Sequence, residues 1–310
     1  MKRIDSRFIK NIAPYAGLIV LTVIFSLTTG GRFLQARNLT NIIGQSMVTM
    51  IAACGCTFVM AHNNLDFSLG GGCALISACS FLVTRGESLA LTLLVCMAFG
   101  VACGLITALI HVKGKIPAFM AGMCIMFVGR GVVEGLATNR VMNLPASTTQ
   151  YADNMFYLAF LAAVFALCVF VFNYTRIGKA QKLIGSNPLA AQLSGIDVGK
   201  YKTFAFAISG MTLGVASFLT MIRIGSVTKT IGSGLETDVL IALTLGGIPL
   251  TGGTGTKMRS ALVGSLTYFI LGNGLTIWGL DANIISIVKG AIFLATVFIT
   301  MERSGSKYVL

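Results

Sequence analysis

Apolar residues fall in long runs along this chain, and polar residues are confined to short interruptions between them. A membrane-crossing helix needs about 20 apolar residues, fewer where it is broken or only partly exposed. Ten runs fit that description: residues 15–30, 42–61, 69–84, 89–110, 117–137, 156–172, 204–222, 238–250, 260–279 and 283–300. The eighth is short and Gly-rich and is the weakest of the set. Residues 31–41 are mixed and are expected near the interface. The pattern predicts an all-α fold: a polytopic membrane protein of about ten transmembrane helices, forming one transmembrane domain over residues 1–310.

Composition agrees. The chain is 55% hydrophobic and 11% charged, whereas soluble domains are about a quarter charged, and its mean hydropathy is +0.85. No polar stretch exceeds about thirty residues, which leaves no room for a sizeable soluble domain. A net charge of +13 can mark a nucleic-acid partner. Cationic loops facing the cytoplasm and anionic membrane lipid give the same excess, so lipid is expected and nucleic acid is not. The basic N-terminus leads into the first run without an obvious cleavage site, which predicts an uncleaved first span.

Charge also orients the spans. With the N-terminus inside, the inner segments hold Lys2, Arg3, Arg7, Lys10, Lys113, Lys115, Arg176, Lys179, Lys182, Lys200, Lys202, Lys257, Arg259, Arg303 and Lys307. The outer segments hold only Arg32, Arg37, Arg85, Arg140, Arg223 and Lys229. This excess predicts cytoplasmic N- and C-termini and an even number of spans.

The longest polar, basic stretch, residues 173–203, lies between the sixth and seventh runs and reads as a cytoplasmic loop. Inside it is a short helix with both ends marked. Asn187 is a good N-cap and Pro188 occupies the first helical position, where its missing N–H costs nothing. Leu189, Ala190, Ala191, Gln192 and Leu193 are good helix formers, and Gly195 follows where a left-handed residue is wanted. Leu189 and Leu193 share one face. Two turns of helix cannot stand alone in water, so that face needs a surface, the protein's own or a partner's.

Three interruptions carry candidate chemistry: residues 62–72, with His62, Asn64, Asp66 and Ser68; residues 129–135, with Arg130 and Glu134; and the Gly-rich residues 245–257. Broken helices within a membrane domain usually line a cavity or path, because bare backbone groups need partners there; a simple turn is the alternative. Arg130 and Glu134 are four apart on one helical face, a spacing at which they could pair within the membrane domain. Gly100-x-x-x-Gly104 is a packing signal. The eight cysteines lie in apolar surroundings without metal-type spacing and read as small core or lipid-facing residues. Each Gly-Lys pair is followed by Ile116, Ala180 or Tyr201, so no P-loop is present. The two histidines, His62 and His111, are far apart in sequence, and no nucleophile–base arrangement is evident. Catalysis and a bound cofactor are therefore not expected in this chain, and transport is the natural class.

At these residues the chain resembles the membrane permease subunits of bacterial ABC importers for monosaccharides of the ribose/xylose/galactose type. Residues 185–196, with Gly185, Asn187, Ala190, Ala191, Ser194, Gly195 and Ile196, resemble that family's G-x-N-x-x-A-A-x-x-S-G-I segment. Leu245-Gly246-Gly247, Gly252-Gly253-Thr254-Gly255 and Asn273-Gly274-Leu275 are similar to its C-terminal pattern. Pro117 with Gly129-Arg130-Gly131, and Leu65-Asp66-Phe67-Ser68-Leu69-Gly70, are similar to two further segments. The chain departs at Asn63-Asn64, where the family usually has Gly-Gly, a change that bears on the shape of the break or the solute.

The resemblance implies a multi-pass protein of the bacterial cytoplasmic (inner) membrane that pairs with a second permease copy or paralogue. It implies a cytoplasmic ABC ATPase that binds the ATP, and an extracytoplasmic solute-binding protein. The short helix (Asn187, Pro188, Leu189, Ala190, Ala191, Leu193, Ser194 and Gly195) becomes the ATPase-coupling helix. Candidate residues of the translocation path are Asn64, Asp66, Ser68, Arg130, Glu134 and Asn273. Two alternatives remain on the residues alone: a permease for branched-chain amino acids or nucleosides, and an ion-coupled secondary transporter using groups such as Asp66, Arg130, Glu134 and Lys289.

Overall fold

A computed structural model describes residues 6–138 and 142–300. Lys2, Arg3, Arg140, Arg303 and Lys307, used above to orient the spans, lie outside the described residues. The described chain is nearly all helical. In order it forms α1 (Ser6–Thr28), α2 (Ala36–Ala61), α3 (Leu69–Thr84), α4 (Leu89–Val112), α5 (Ala118–Thr138) and the single turn α6 (Ala146–Thr149). There follow α7 (Asn154–Tyr174), α8 (Arg176–Ser186), α9 (Pro188–Leu193), α10 (Val198–Ile224), α11 (Leu235–Leu245), α12 (Arg259–Ile277) and α13 (Ala282–Thr300).

Each of the ten apolar runs falls on a helix. Six of them, α2, α4, α5, α7, α10 and α12, are long and apolar enough to cross a membrane. α1, α3 and α13 contribute shorter apolar stretches. The run at 238–250 becomes α11, whose 11 residues span only about 16 Å at 1.5 Å per residue. It ends at Leu245 because Gly246 and Gly247 turn the chain, Gly247 with φ +87°.

α2 and α10 form the centre, with 89% and 78% of their apolar windows buried, against 22% for the peripheral α7. Small residues set the closest approaches. A Cβ on Gly100 would collide with the carbonyl oxygen of Gly210, and one on Gly104 with that of Phe206. A Cβ on Gly214 would in turn meet the Cys96 carbonyl. The small-xxx-small motif of α4 thus packs backbone to backbone on a second one in α10, the arrangement that lets helices associate without a hydrophobic driving force.

The segment 173–203 is more structured than its charge suggests. It holds α8, α9 and the first turn of α10 instead of one short helix in a loop. α8 is amphipathic: Gly178, Ala180, Gln181 and Ile184 are buried, while Arg176 and Lys179 face outward. Thr175 caps it by accepting the Ile177 N–H at 3.2 Å. Gly178 and Gly185 act here as close-approach residues, since a Cβ on either would strike a neighbouring carbonyl oxygen, Phe172 or Ala61 respectively. Lys182 lays its ammonium 4.2 Å from the Phe172 ring centroid, and burial lowers its pKa from the ordinary lysine value.

The loops gather at two ends. One end brings together Asn143 and Ser226 in a β-bridge, Thr148 with the Gly86 carbonyl, and Asn154 with the Thr40 carbonyl. The other brings Lys202 to His111 and Thr254 to Ser186. The described segments that charge assigns to one side therefore meet one another.

Candidate functional site

The site builds up from α9. The Oδ1 of Asn187 accepts the Ala190 N–H at 3.0 Å and Pro188 sits at the first position, as the sequence predicts. At the other end, the Gly195 N–H donates to Gln192 O at 3.0 Å and the Ile196 N–H to Ala191 O at 3.1 Å. Gly195 adopts φ +80°. These two bonds complete a Schellman motif, which satisfies carbonyls that a helix end otherwise leaves bare. Ser194 closes the last turn through its Oγ, which donates to Ala190 O at 2.8 Å.

The two faces of α9 differ. Ala191 is 4% exposed and turns inward, while Leu189 is 65% and Leu193 82% exposed. Ala191 is the buried side chain of α9 among the described residues. The two leucines project away from it and present an apolar knob.

α9 stands on a three-way junction. Ser186, the last residue of α8, donates its Oγ to Lys182 O at 3.0 Å and accepts the Thr254 N–H at 3.2 Å. A Cβ on Gly185 would collide with Ala61 O, the last residue of α2, and lie 2.6 Å from Gly253 N. Gly252, with φ +65°, approaches the Met60 carbonyl equally closely. The G-x-N motif, the Gly-Gly-Thr-Gly motif and the end of α2 are therefore one packed unit.

Beyond that junction the chain breaks. After α2 it passes through Asn63, at φ +61°, into a non-helical stretch before α3. Asp66 is 2% exposed. Its Oδ1 accepts the Ser68 N–H at 2.9 Å and the Ser68 hydroxyl at 2.5 Å, and its Oδ2 accepts the Ser209 hydroxyl of α10 at 3.1 Å. Asp66 and Ser68 thus stitch the break to the central helix. Asn64 points elsewhere, its amide 3.4 Å from His111 Nε2.

The other candidates do not join Asp66 in one cluster. Arg130 and Glu134 do not pair. The Arg130 Nη1 donates to the Ile231 carbonyl at 2.7 Å, while Glu134 is exposed. The four-residue spacing is offset by the loop before α11, which supplies a nearer acceptor. Arg130 Nη2 is buried with no hydrogen-bond partner among the described residues. Asn273 and Asn38 exchange two side-chain hydrogen bonds of 2.9 Å, joining α12 to α2. This amide pair ties Asn273 to α2.

Sequence reading missed several polar groups. Glu236 lies against Gly70 with its Oε2 buried and unpartnered among the described residues. Asp238 accepts a hydrogen bond from the Tyr268 hydroxyl, and Lys289 lies 3.9 Å from the Tyr268 ring centroid. Two acids opening an apolar run were the available signal for Glu236 and Asp238. Ser209 and Ser186 carried none, since their partners are remote in sequence.

A many-helix membrane bundle with broken segments inside it and a bare apolar helix at one end is a transporter subunit in class. The family described as branched-chain amino acid transport system / permease component matches residues 38–297, and the chain belongs to it. It is 31% identical over 299 residues to the ribose import permease protein RbsC of Escherichia coli (strain K12), covering 92% of each chain. It is 31% identical over 307 residues to the ribose import permease protein RbsC of Haemophilus influenzae, covering 94% of this chain and 93% of the relative. The galactose/methyl galactoside import permease protein MglC of Escherichia coli (strain K12) is 28% identical over 326 residues, with 97% and 96% covered.

Proposed function

We propose that this chain is the membrane-spanning permease subunit of an ATP-binding-cassette importer and forms the translocation path for a monosaccharide such as ribose or a related sugar. It works in the bacterial inner membrane with about ten membrane segments and both termini cytoplasmic. It pairs with a second permease copy or paralogue, a cytoplasmic ATPase that binds and hydrolyses ATP, and an extracytoplasmic solute-binding protein. α9 is the coupling helix. The observation that carries this reading is the exposure of Leu189 and Leu193 on a helix rigidly capped at both ends.

Closure of the ATPase pair pushes on α9. Because Ser186 and Gly185 lock onto residues 252–254 and the end of α2, the push reaches the break at 62–68 and the central helix behind Asp66. Packed interfaces of this kind rearrange between discrete states and do not deform smoothly. Sugar import is favoured over amino-acid import because the relatives that match over nearly the whole chain are named for ribose and galactose uptake.

The test is extraction of the chain from its own host in mild detergent, with identification of the proteins that come with it and an ATPase assay. A bound ATPase that is lost from Leu189→Asp/Leu193→Asp, together with uptake of labelled ribose competed by xylose or galactose, supports the reading. A chain that carries solute in liposomes under an ion gradient, with no ATPase, overturns it.

A further inference from the structure

A cavity of about 490 Å³ opens between the end of α4, the start of α5 and the first turn of α10. His111, Lys115 and Lys202 line it together with Val112, Ile116 and Pro117; among the described residues no acid lines it, and the Asp197 carboxylate beside Gly199 is engaged by the Lys200 N–H. The polar part is built and not merely exposed. Ile116 O can only accept, so His111 donates from Nδ1 at 2.7 Å and keeps a lone pair on Nε2. That nitrogen accepts from Lys202 Nζ at 3.2 Å. The bond orients the ammonium and leaves two of its three N–H donors for another partner. Lys115 holds φ +55°, a left-handed conformation that only a few per cent of non-glycine residues adopt. The result is two cations over an apolar floor.

The helices that build the floor continue with bare apolar side chains. Leu105, Ile106 and Leu109 of α4, Phe119 and Met120 of α5 and Phe204 of α10 are all 40% or more exposed. A phosphate held by the two lysines would sit at the level where these surfaces begin, with room for hydrocarbon along them. Basic pockets between membrane helices on the cytoplasmic side suit anionic headgroups.

We propose that this cavity binds the phosphate headgroup of an anionic membrane lipid, with Lys115 and Lys202 as its ligands and His111 as the residue that positions Lys202. The orientation of the cavity toward the cytoplasm rests on the proposed function, but lipid binding does not require the ATPase. The site lies directly beyond α9, so the lipid braces the first turn of α10 behind the coupling helix.

Native mass spectrometry of the purified full chain tests this, with phosphatidylglycerol, phosphatidylcholine and inorganic phosphate as probes. The wild type should retain phosphatidylglycerol in preference to phosphatidylcholine. With each cation worth about a fivefold change in affinity, Lys115→Gln/Lys202→Gln should weaken retention by about 25-fold. Lys115→Arg/Lys202→Arg should preserve it, which separates lost charge from a misfolded chain. Lys179→Gln, on the outward face of α8, should change nothing. Equal retention by the Gln double variant, equal binding of phosphatidylcholine, or displacement by millimolar inorganic phosphate overturns the proposal; the last would identify a free-anion site. Failure of the chain to bind an ATPase would overturn the proposed function and leave this result standing.

Discussion

The hydroxyl of Ser186 accepts the backbone N–H of Thr254 at 3.2 Å across 68 residues of chain. The bond ties the base of the proposed coupling helix to the Gly-rich turn between α11 and α12. Gly185 beside it fits only because it lacks a Cβ, which would strike Ala61 O and crowd Gly253 N. We predict that Gly185→Val leaves the protein in the membrane but abolishes solute uptake. Overpacking of this kind costs about 1–3 kcal/mol, too little to unfold a large bundle and enough to unseat one contact. Ser186→Ala removes two hydrogen bonds, one to Lys182 O and one from the Thr254 N–H, each worth about 1 kcal/mol, but adds no steric clash and should reduce uptake only partly. Uptake measured at matched expression distinguishes the two; wild-type uptake by Gly185→Val would show that the junction does not transmit.

Gly195 gives a second, independent handle on α9. A Cβ there meets nothing within 4 Å, so space is not at issue. The constraint is its φ of +80°, where an ordinary L-residue pays about 1–2 kcal/mol and a β-branched one is strained further. Gly195→Val should open the Schellman motif, release the end of the helix and block transport without loss of insertion. Gly195→Asn should be milder, since asparagine tolerates the left-handed region. Equal uptake by both variants would mean that the helix end can move freely.

Much of this was legible because the chemistry is local. Asn187, Pro188 and Gly195 mark a helix through bonds that span three to five residues, and the apolar runs announce themselves by length alone. The amphipathic α8 was obscured because its cations sit on one face while Gly178 and Gly185, which resemble breakers in a linear reading, are close-approach sites. The partner of Arg130 was illegible for a different reason. It is the backbone carbonyl of Ile231, and any residue supplies a carbonyl. The Asp66–Ser209 and Ser186–Thr254 contacts depend on how distant segments stack, which no spacing rule encodes.

The geometry of Arg130 turns the expectation for charge reversal around. An ion pair with Glu134 would let Arg130→Glu/Glu134→Arg recover what each single reversal loses. With Glu134 exposed and the guanidinium bonded to Ile231 O, the double reversal should be as defective as Arg130→Glu alone. Glu134→Gln should be close to neutral. A double-mutant cycle on transport rate measures this directly, and rescue by the double variant would restore the ion pair.

Asn38 and Asn273 satisfy each other through two hydrogen bonds of 2.9 Å. Removing one amide strands the other. Asn273→Leu alone should therefore lower the thermal stability of the detergent-solubilised protein, by about 1–3 kcal/mol for the stranded group. Asn38→Leu/Asn273→Leu should recover part of the loss, because replacing both partners by apolar groups of similar shape can be nearly neutral. If instead Asn273 contacts solute, its single variant should change solute affinity at unchanged stability, and the double variant should not recover it.

The cluster of Asp238, Tyr268 and Lys289 is the strongest test of how the last helix is held. Tyr268 donates to Asp238, and Lys289 lies 3.9 Å from the face of its ring while interacting electrostatically with Asp238. The three residues lie on α11, α12 and α13, so the cluster joins all three helices. A charge in a membrane helix is costly unless charged or polar groups face it, so removing the acid from this cluster leaves Lys289 poorly compensated. Asp238→Leu should therefore sharply reduce the folded yield by leaving Lys289 without its acid. Asp238→Leu/Lys289→Leu should restore much of that yield, because neither charge then remains buried. Tyr268→Phe keeps the ring beneath Lys289 and loses only the hydroxyl, so its effect should be smaller than that of Asp238→Leu. Monodisperse yield in detergent, compared across the variants, checks the order. If the double variant is no better than Asp238→Leu, packing of the Asp238 side chain and not its charge secures α13.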